Sequence, residues 1–203
     1  MPKVLNVGGN SKTTAMPAHY QSWQQCFLDI DPRWKPDILC DARELTTQAA
    51  NQFEAIYCSH NLEHYYVHDV ANVLAGFSHV LVRNGFAEIR VPDMRAVMQS
   101  MLDRNLDIDE PLYQSPAGPI STRDVIYGYG LEIERSGNEF FAHKTGFTAT
   151  SLQRALNAAD FPFVFLQAGN LEVRALAFRA PPTPMQQQLF GLPDVSTNTP
   201  EPQ

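Results

Sequence analysis

Short apolar runs punctuate the chain: KVLNVG, CFLDI, PDILC, FEAIYCS and GFAEIRV in its first half, then FVFLQ and VRALAF near its end. Segments with helical spacing separate them, and that alternation predicts an α/β fold on a largely parallel sheet of seven strands. The clearest helix spans His68 to Leu81, where Val70, Val73, Leu74, Phe77, Val80 and Leu81 recur on one face ahead of an Asn84-Gly85 stop. A second helix starts near Thr148 or Ser151, with Leu152, Leu156 and Ala159 on one side, and leads through Phe161 into the sixth strand. Only Ala168-Gly169-Asn170 then precedes LEVRALAF. So short a link holds no crossover, and it predicts an antiparallel C-terminal hairpin.

The periodicity loosens between Pro92 and Gly146, in a stretch too rich in aromatic residues and helical pattern for a simple loop. It reads as a cap insertion, about residues 94–147, over the carboxyl edge of the sheet. Ser121 is placed to N-cap a short helix with Asp124 three residues on, and Tyr127 and Tyr129 are expected within that helix. From Pro181 onward the chain holds six of its fifteen prolines, which predicts a disordered tail, residues 181–203, after a domain of residues 1–180.

With 203 residues the chain suits one domain that builds its core without staples. Its net charge of −7 disfavours nucleic acid as a partner. No apolar run approaches the roughly 20 residues that span a bilayer. A soluble, cytoplasmic protein with no membrane partner is expected. Cys26, Cys40 and Cys58 form no close pair and read as buried thiols.

The junction VLNVGGN, a strand running into Gly8 and Gly9, is suited to close approach of a ligand. A triphosphate loop needs a glycine directly before Lys-Ser or Lys-Thr, and here Ser11 precedes Lys12-Thr13. A dinucleotide site has its acid in Asp29, but adjacent glycines followed by Asn10 and Thr13 break its glycine pattern. S-adenosylmethionine carries no phosphate and asks mainly for backbone clearance and an acidic ribose clamp. On these residues the chain resembles the class I S-adenosylmethionine-dependent methyltransferases, most closely small bacterial members with a shortened first helix. The resemblance covers about residues 3 to 179.

What the resemblance implies is a Rossmann-like domain whose cofactor lies over the first strands. Asn6, Gly8, Gly9 and Asn10 fall on the family's first motif. Asp29, with Ile30 beside it, falls where the ribose hydroxyls are held, and Asp41 and Ala42 fall where adenine is read. Ser59 and His60 fall beside the reactive sulfonium. Methyl transfer chiefly requires alignment, and where an acceptor needs a general base His60 or His143 is in reach. The acceptor is expected to be a small molecule, chosen by the segment Met94 to Thr145 through Tyr113, Tyr127, Tyr129, Phe140, Phe141 and His143. A second class of function is open as well. With Asn6 and Asn10 in the first motif, the alternative is a binding module that no longer turns over.

A third reading rests on His60-Asn61-Leu62-Glu63-His64, an H-x-x-E-H pattern of zinc hydrolases. That chemistry needs both histidines on one helical face, whereas the run FEAIYCS places His60 in a strand-to-helix turn, where they diverge. No metal is therefore expected, and Glu63 and His64 are assigned packing and capping roles at a helix start.

Overall fold

The structure, a computed structural model, describes residues 1–9, 11 and 14–194. Its centre is a seven-stranded sheet of β1 (Lys3–Val7), β2 (Gln24–Asp29), β3 (Ile38–Leu39), β4 (Phe53–Ser59), β5 (Leu81–Pro92), β8 (Phe163–Gly169) and β9 (Glu172–Phe178). The spatial order is β3-β2-β1-β4-β5-β9-β8. The first five strands run parallel, and β9 is antiparallel to both β5 and β8. The expected hairpin closes through Asn170 and Leu171, both at positive φ (54° and 64°), the geometry of a two-residue turn that follows the twist of its strands.

Alternation along the strands sorts their side chains onto two faces. Leu5, Ile56, Ala87, Ile89 and Val173 form the main core with α1 (Val67–Val80) and α5 (Ala149–Ala158). Helix α1 begins one residue earlier than its periodicity predicts and runs directly into β5, so Asn84-Gly85 is not its stop. Those residues lie inside β5, where the pairing with β4 jumps from Phe53↔Leu81 to Ala55↔Phe86. The turn residues make an irregularity in a strand, because the backbone groups of Leu81 already have a partner in the sheet. Helix α5 opens on a reciprocal cap, with Thr148 Oγ1 accepting from Ser151 N and Ser151 Oγ from Thr148 N. Thr148→Ala is expected to cost about 1 kcal/mol and lower the melting temperature by about 2–4 °C.

The opposite face is covered thinly. Among the described residues between β1 and β2 the helical element is a 3-10 turn at Ala18–Tyr20. Tyr20 is fully buried there against Trp23, Tyr57 and Phe86. The rest of the cover comes from the segment expected to be disordered. Pro184–Phe190 is a helix, α6, capped by Thr183 and carrying Phe190 onto Phe86 and His19. Composition misleads here because Pro184 stands at a helix's first turn, where a missing N–H costs nothing. Residues 195–203 of that tail lie outside the described residues.

The insertion is a folded cap of α2 (Met94–Asp103), the hairpin β6 (Pro111–Ser115) and β7 (Gly118–Ser121), α3 (Thr122–Tyr127) and α4 (Gly130–Ser136), with α5 and α6 following in chain order. Val97, Leu112, Ile120 and Val125 give it a small core of its own, against which Leu171 packs. Ser121 and Asp124 cap α3 reciprocally. Tyr129 is not within α3, because Gly128 at φ 97° ends the helix, and Tyr129 precedes α4 instead. The cap's two ends meet where Asp93 bridges Phe147 and Met94 N donates to Phe147 O (2.9 Å). Cys58 is buried, but Cys26 and Cys40 are only half-buried. Among the described residues no helix is long and apolar enough to cross a membrane.

Candidate functional site

β1 delivers Val7 into Gly8, whose N–H continues the ladder to Leu28 O (2.9 Å) and whose φ is 67°. A Cβ there would stand 2.0 Å from Asn61 Nδ2, and one on Gly9 would stand 2.5 Å from Asn6 Nδ2. The two glycines thus make room for asparagine side chains of the protein itself. Asn6 is buried beneath the turn, away from the cleft described next, and Asn10 lies outside the described residues.

β2 ends on Asp29, which is buried and accepts from Asp31 N through Oδ1 (2.8 Å). Asp31 N-caps the turn Pro32–Trp34 and holds Arg33, whose guanidinium keeps the Asp31 carboxyl below its ordinary value. After β3, Asp41 N-caps a 3-10 helix at Ala42–Thr47 and accepts from Arg43 N (2.9 Å) and Arg43 Nη2 (2.6 Å). Burial pushes Asp41 up, but Arg43 outweighs it and the carboxyl sits below the usual range. Arg43 also reaches Asp69 (3.3 Å).

These strand ends floor a cleft of about 890 Å³, its open mouth included. Of the residues expected at a cofactor, Gly8, Asp29, Ile30, Asp41 and His60 line it. Asn6, Gly9, Ala42 and Ser59 do not. Ala42 is buried, its carbonyl turned toward α1 at Gly76, and Ser59 is still within β4, paired with Arg90. Trp34, Tyr65, Tyr66 and Lys144 complete the wall. Of these, only Trp34, an aromatic residue just past a strand-end acid, left a signal in the sequence.

A second cavity of about 950 Å³, mouth included, adjoins the first and shares Trp34, His60, His64 and Phe141 with it. The cap supplies Tyr129, Glu132, Arg135 and His143. Phe140 faces the first cleft. Tyr113 and Tyr127 stand exposed and line neither space, since the break at Gly128 turns the chain between Tyr127 and Tyr129.

Between the cavities lies the H-x-x-E-H segment. His60 sits at φ 50° directly after β4, and residues Leu62–His64 form a 3-10 turn, so the helical zinc-hydrolase arrangement is not made. The His60 ring goes to Glu172 (Nε2 to Oε2, 3.0 Å), with Glu63 Oε1 3.5 Å from Nδ1. Its surroundings work against the imidazolium by desolvation, but the carboxylates of Glu172 and Glu63 outweigh that and push His60 up to about 9. The same two carboxylates favour the protonated ring, the form that donates a proton and does not accept one. His143 donates from Nδ1 to Val125 O (2.8 Å), and burial holds it below the ordinary histidine value. Glu63 does no capping: its side chain is 1% exposed and neither carboxylate oxygen has a hydrogen-bond partner. Burial pushes its carboxyl up, yet the imidazoles of His60, His64 and His143 outweigh this.

No protein-family model and no curated protein matches the chain. Solved structures do. A Burkholderia thailandensis 1,6-didemethyltoxoflavin-N1-methyltransferase, bound to 1,6-didemethyltoxoflavin and S-adenosylhomocysteine, superposes with a TM-score of 0.53 at 17% identity, over 87% of this chain and 70% of that one. An S-adenosylmethionine-dependent methyltransferase from Archaeoglobus fulgidus gives 0.54 at 13% identity, over 87% and 85%. One from Methanosarcina mazei gives 0.52 at 12% identity, over 87% and 92%. The chain has the S-adenosylmethionine-dependent methyltransferase fold. Within this methyltransferase fold the first cleft lies beyond the carboxyl ends of β1 and β2, the side on which open α/β sheets bind their ligands.

Proposed function

We propose that the chain is a methyltransferase that holds S-adenosylmethionine in the first cleft and passes its methyl group to a small polar acceptor in the second cavity. The observation that carries this reading is the meeting of the two spaces at Trp34, His60, His64 and Phe141. The first space is floored by the strand ends and the second takes much of its wall from the cap, which also lends Phe140, Phe141 and Lys144 to the first. In an in-line displacement the protein's main work is to bring the two reactants together and keep water out. Asp29 accepts from the ribose hydroxyls, Gly8 lets the chain turn over the methionyl part, and the Asp41–Arg43 pair borders the adenine. Glu132 and Arg135 orient the acceptor.

Calorimetry with S-adenosylhomocysteine tests the donor half. Asp29→Ala is expected to weaken binding by about 1.5–3 kcal/mol, the scale of a lost hydrogen bond to a charged group. An unchanged affinity would exclude Asp29 from the site. For the acceptor half, Arg135→Ala should leave cofactor affinity intact while transfer falls. Cofactor binding with no transfer to any acceptor would favour the non-catalytic module instead.

A further inference from the structure

We propose that Glu63, His64 and His143 form a binding site for one divalent transition-metal ion of the zinc class, on the side of the second cavity nearest the first cleft. Each residue offers a ligand atom, and these atoms lie within 4.8 Å of one another. They need only draw in toward a common centre to reach the roughly 2.0–2.2 Å of zinc–nitrogen and zinc–oxygen bonds.

Three features point to a cation beyond the clustering itself. Both oxygens of the buried Glu63 carboxylate lack a hydrogen-bond partner, and buried carboxylates are ordinarily either paired or bound to metal. His60 pairs with only one edge of that carboxylate, 3.5 Å from Oε1, and is shared with Glu172 at 3.0 Å, so Oε2 is left without a cation. His143 has its Nδ1–H committed to Val125 O (2.8 Å), so the Nε2 lone pair is fixed and free to ligate; a carbonyl behind the ring is the usual support of a metal-bound histidine. His64 places Nδ1 3.1 Å from Ala142 O and Nε2 3.2 Å from His60 O. A neutral imidazole donates to only one of these carbonyls, and the nitrogen without a proton is the one a cation would take, its carbonyl contact given up.

Two imidazoles and a carboxylate match zinc, iron(II) or cobalt(II) better than magnesium or calcium. Three protein ligands leave coordination positions for something else, as in catalytic sites and unlike closed structural ones. The site differs from the H-x-x-E-H reading of the sequence, because Glu63 is a ligand and the third ligand comes from the cap. Its role rests on the methyltransferase reading: the open positions face the cavity of Glu132 and Arg135 and would bind an oxygen of the acceptor.

The full chain, stripped with a chelator and dialysed, is titrated with zinc by calorimetry and with cobalt(II) by visible absorption. One ion per chain is expected. Glu63→Gln and His143→Gln should each weaken binding more than about a hundredfold, beyond the loss seen when a supporting residue is removed. No binding by the wild type, or binding that both variants leave unchanged, overturns the proposal. If a variant does not fold, the wild type's melting curve decides. A zinc-dependent rise abolished by chelator supports the site, and none refutes it. S-adenosylhomocysteine affinity, measured on the same samples, separates the two readings. Its absence beside an intact ion site overturns the methyltransferase reading alone.

Discussion

Glu88→Ala is expected to cost about 3–5 kcal/mol, enough to remove much of the stability of an ordinary domain. Glu88 is fully buried on the thinly covered face and accepts from Arg174 Nε (2.8 Å), Tyr20 Oη (3.2 Å) and Arg90 Nη2 (3.3 Å), with His19 Nε2 at 2.9 Å. Its removal would leave two half-buried guanidinium groups without their shared counter-charge. A pH dependence follows with a definite sign. Burial pushes Glu88 up, but Arg174, helped by His19 and Arg90, outweighs it and holds the carboxyl below its ordinary value. The unfolded chain then binds more protons than the native one near pH 4, so this contribution is present above the usual glutamate range and is lost as pH falls through the folded value. Denaturant melts at pH 7 and pH 4 should show the gap between wild type and Glu88→Ala narrowing in acid. Glu88→Gln, which cannot ionise, should flatten the acid limb; an equal gap at both pH values would mean the charge is not what stabilises.

Tyr20→Ala should be as damaging, at about 3–5 kcal/mol, because the ring is wholly buried with aromatic neighbours on three sides. Tyr20→Phe keeps the ring and loses only the hydroxyl contact with Glu88, at about 1 kcal/mol. Since the two residues touch, the effects of Tyr20→Ala and Glu88→Ala should not add. A loss near zero for Tyr20→Ala would mean that the turn at Ala18–Tyr20 does not seal this face.

The strands, the helix at Val67–Val80 and the closing hairpin were legible in the sequence because each rests on a local cause: an apolar run, a repeat, a link too short to cross over. The site was legible where a residue ends a strand, as Asp29 does, or closely follows one, as Asp41 does, since topology then decides which edge it occupies. It was illegible where the reason for a residue lies across the fold. Gly8 and Gly9 look like clearance for a ligand, yet the atoms that a side chain would strike belong to Asn61 and Asn6. His60 looks free in the sequence, and only the approach of Glu172 from β9 shows that a carboxylate faces its ring and favours the protonated form. His143 and Glu63 carry no sequence sign of meeting, because the cap's fold brings them together. Proline content hid a helix at Pro184–Phe190, whose first position is one that proline suits.

The bridge between Asp93 and Phe147 makes the cap a closed excursion, leaving the sheet and rejoining it at one place. Segments with adjoining ends are the ones that domains gain, lose and exchange most readily, because the rest of the chain need not move to accommodate them. In this protein such an exchange is not neutral for what lies underneath. The returning strand of the cap gives the N–H groups of Lys144 and Thr145 to Glu63 O and brings His143 to the Glu63 side chain, so a recombinant that swapped the cap would inherit an uncovered acid. A graft of this module therefore has to keep its last few residues, or replace Glu63 along with them.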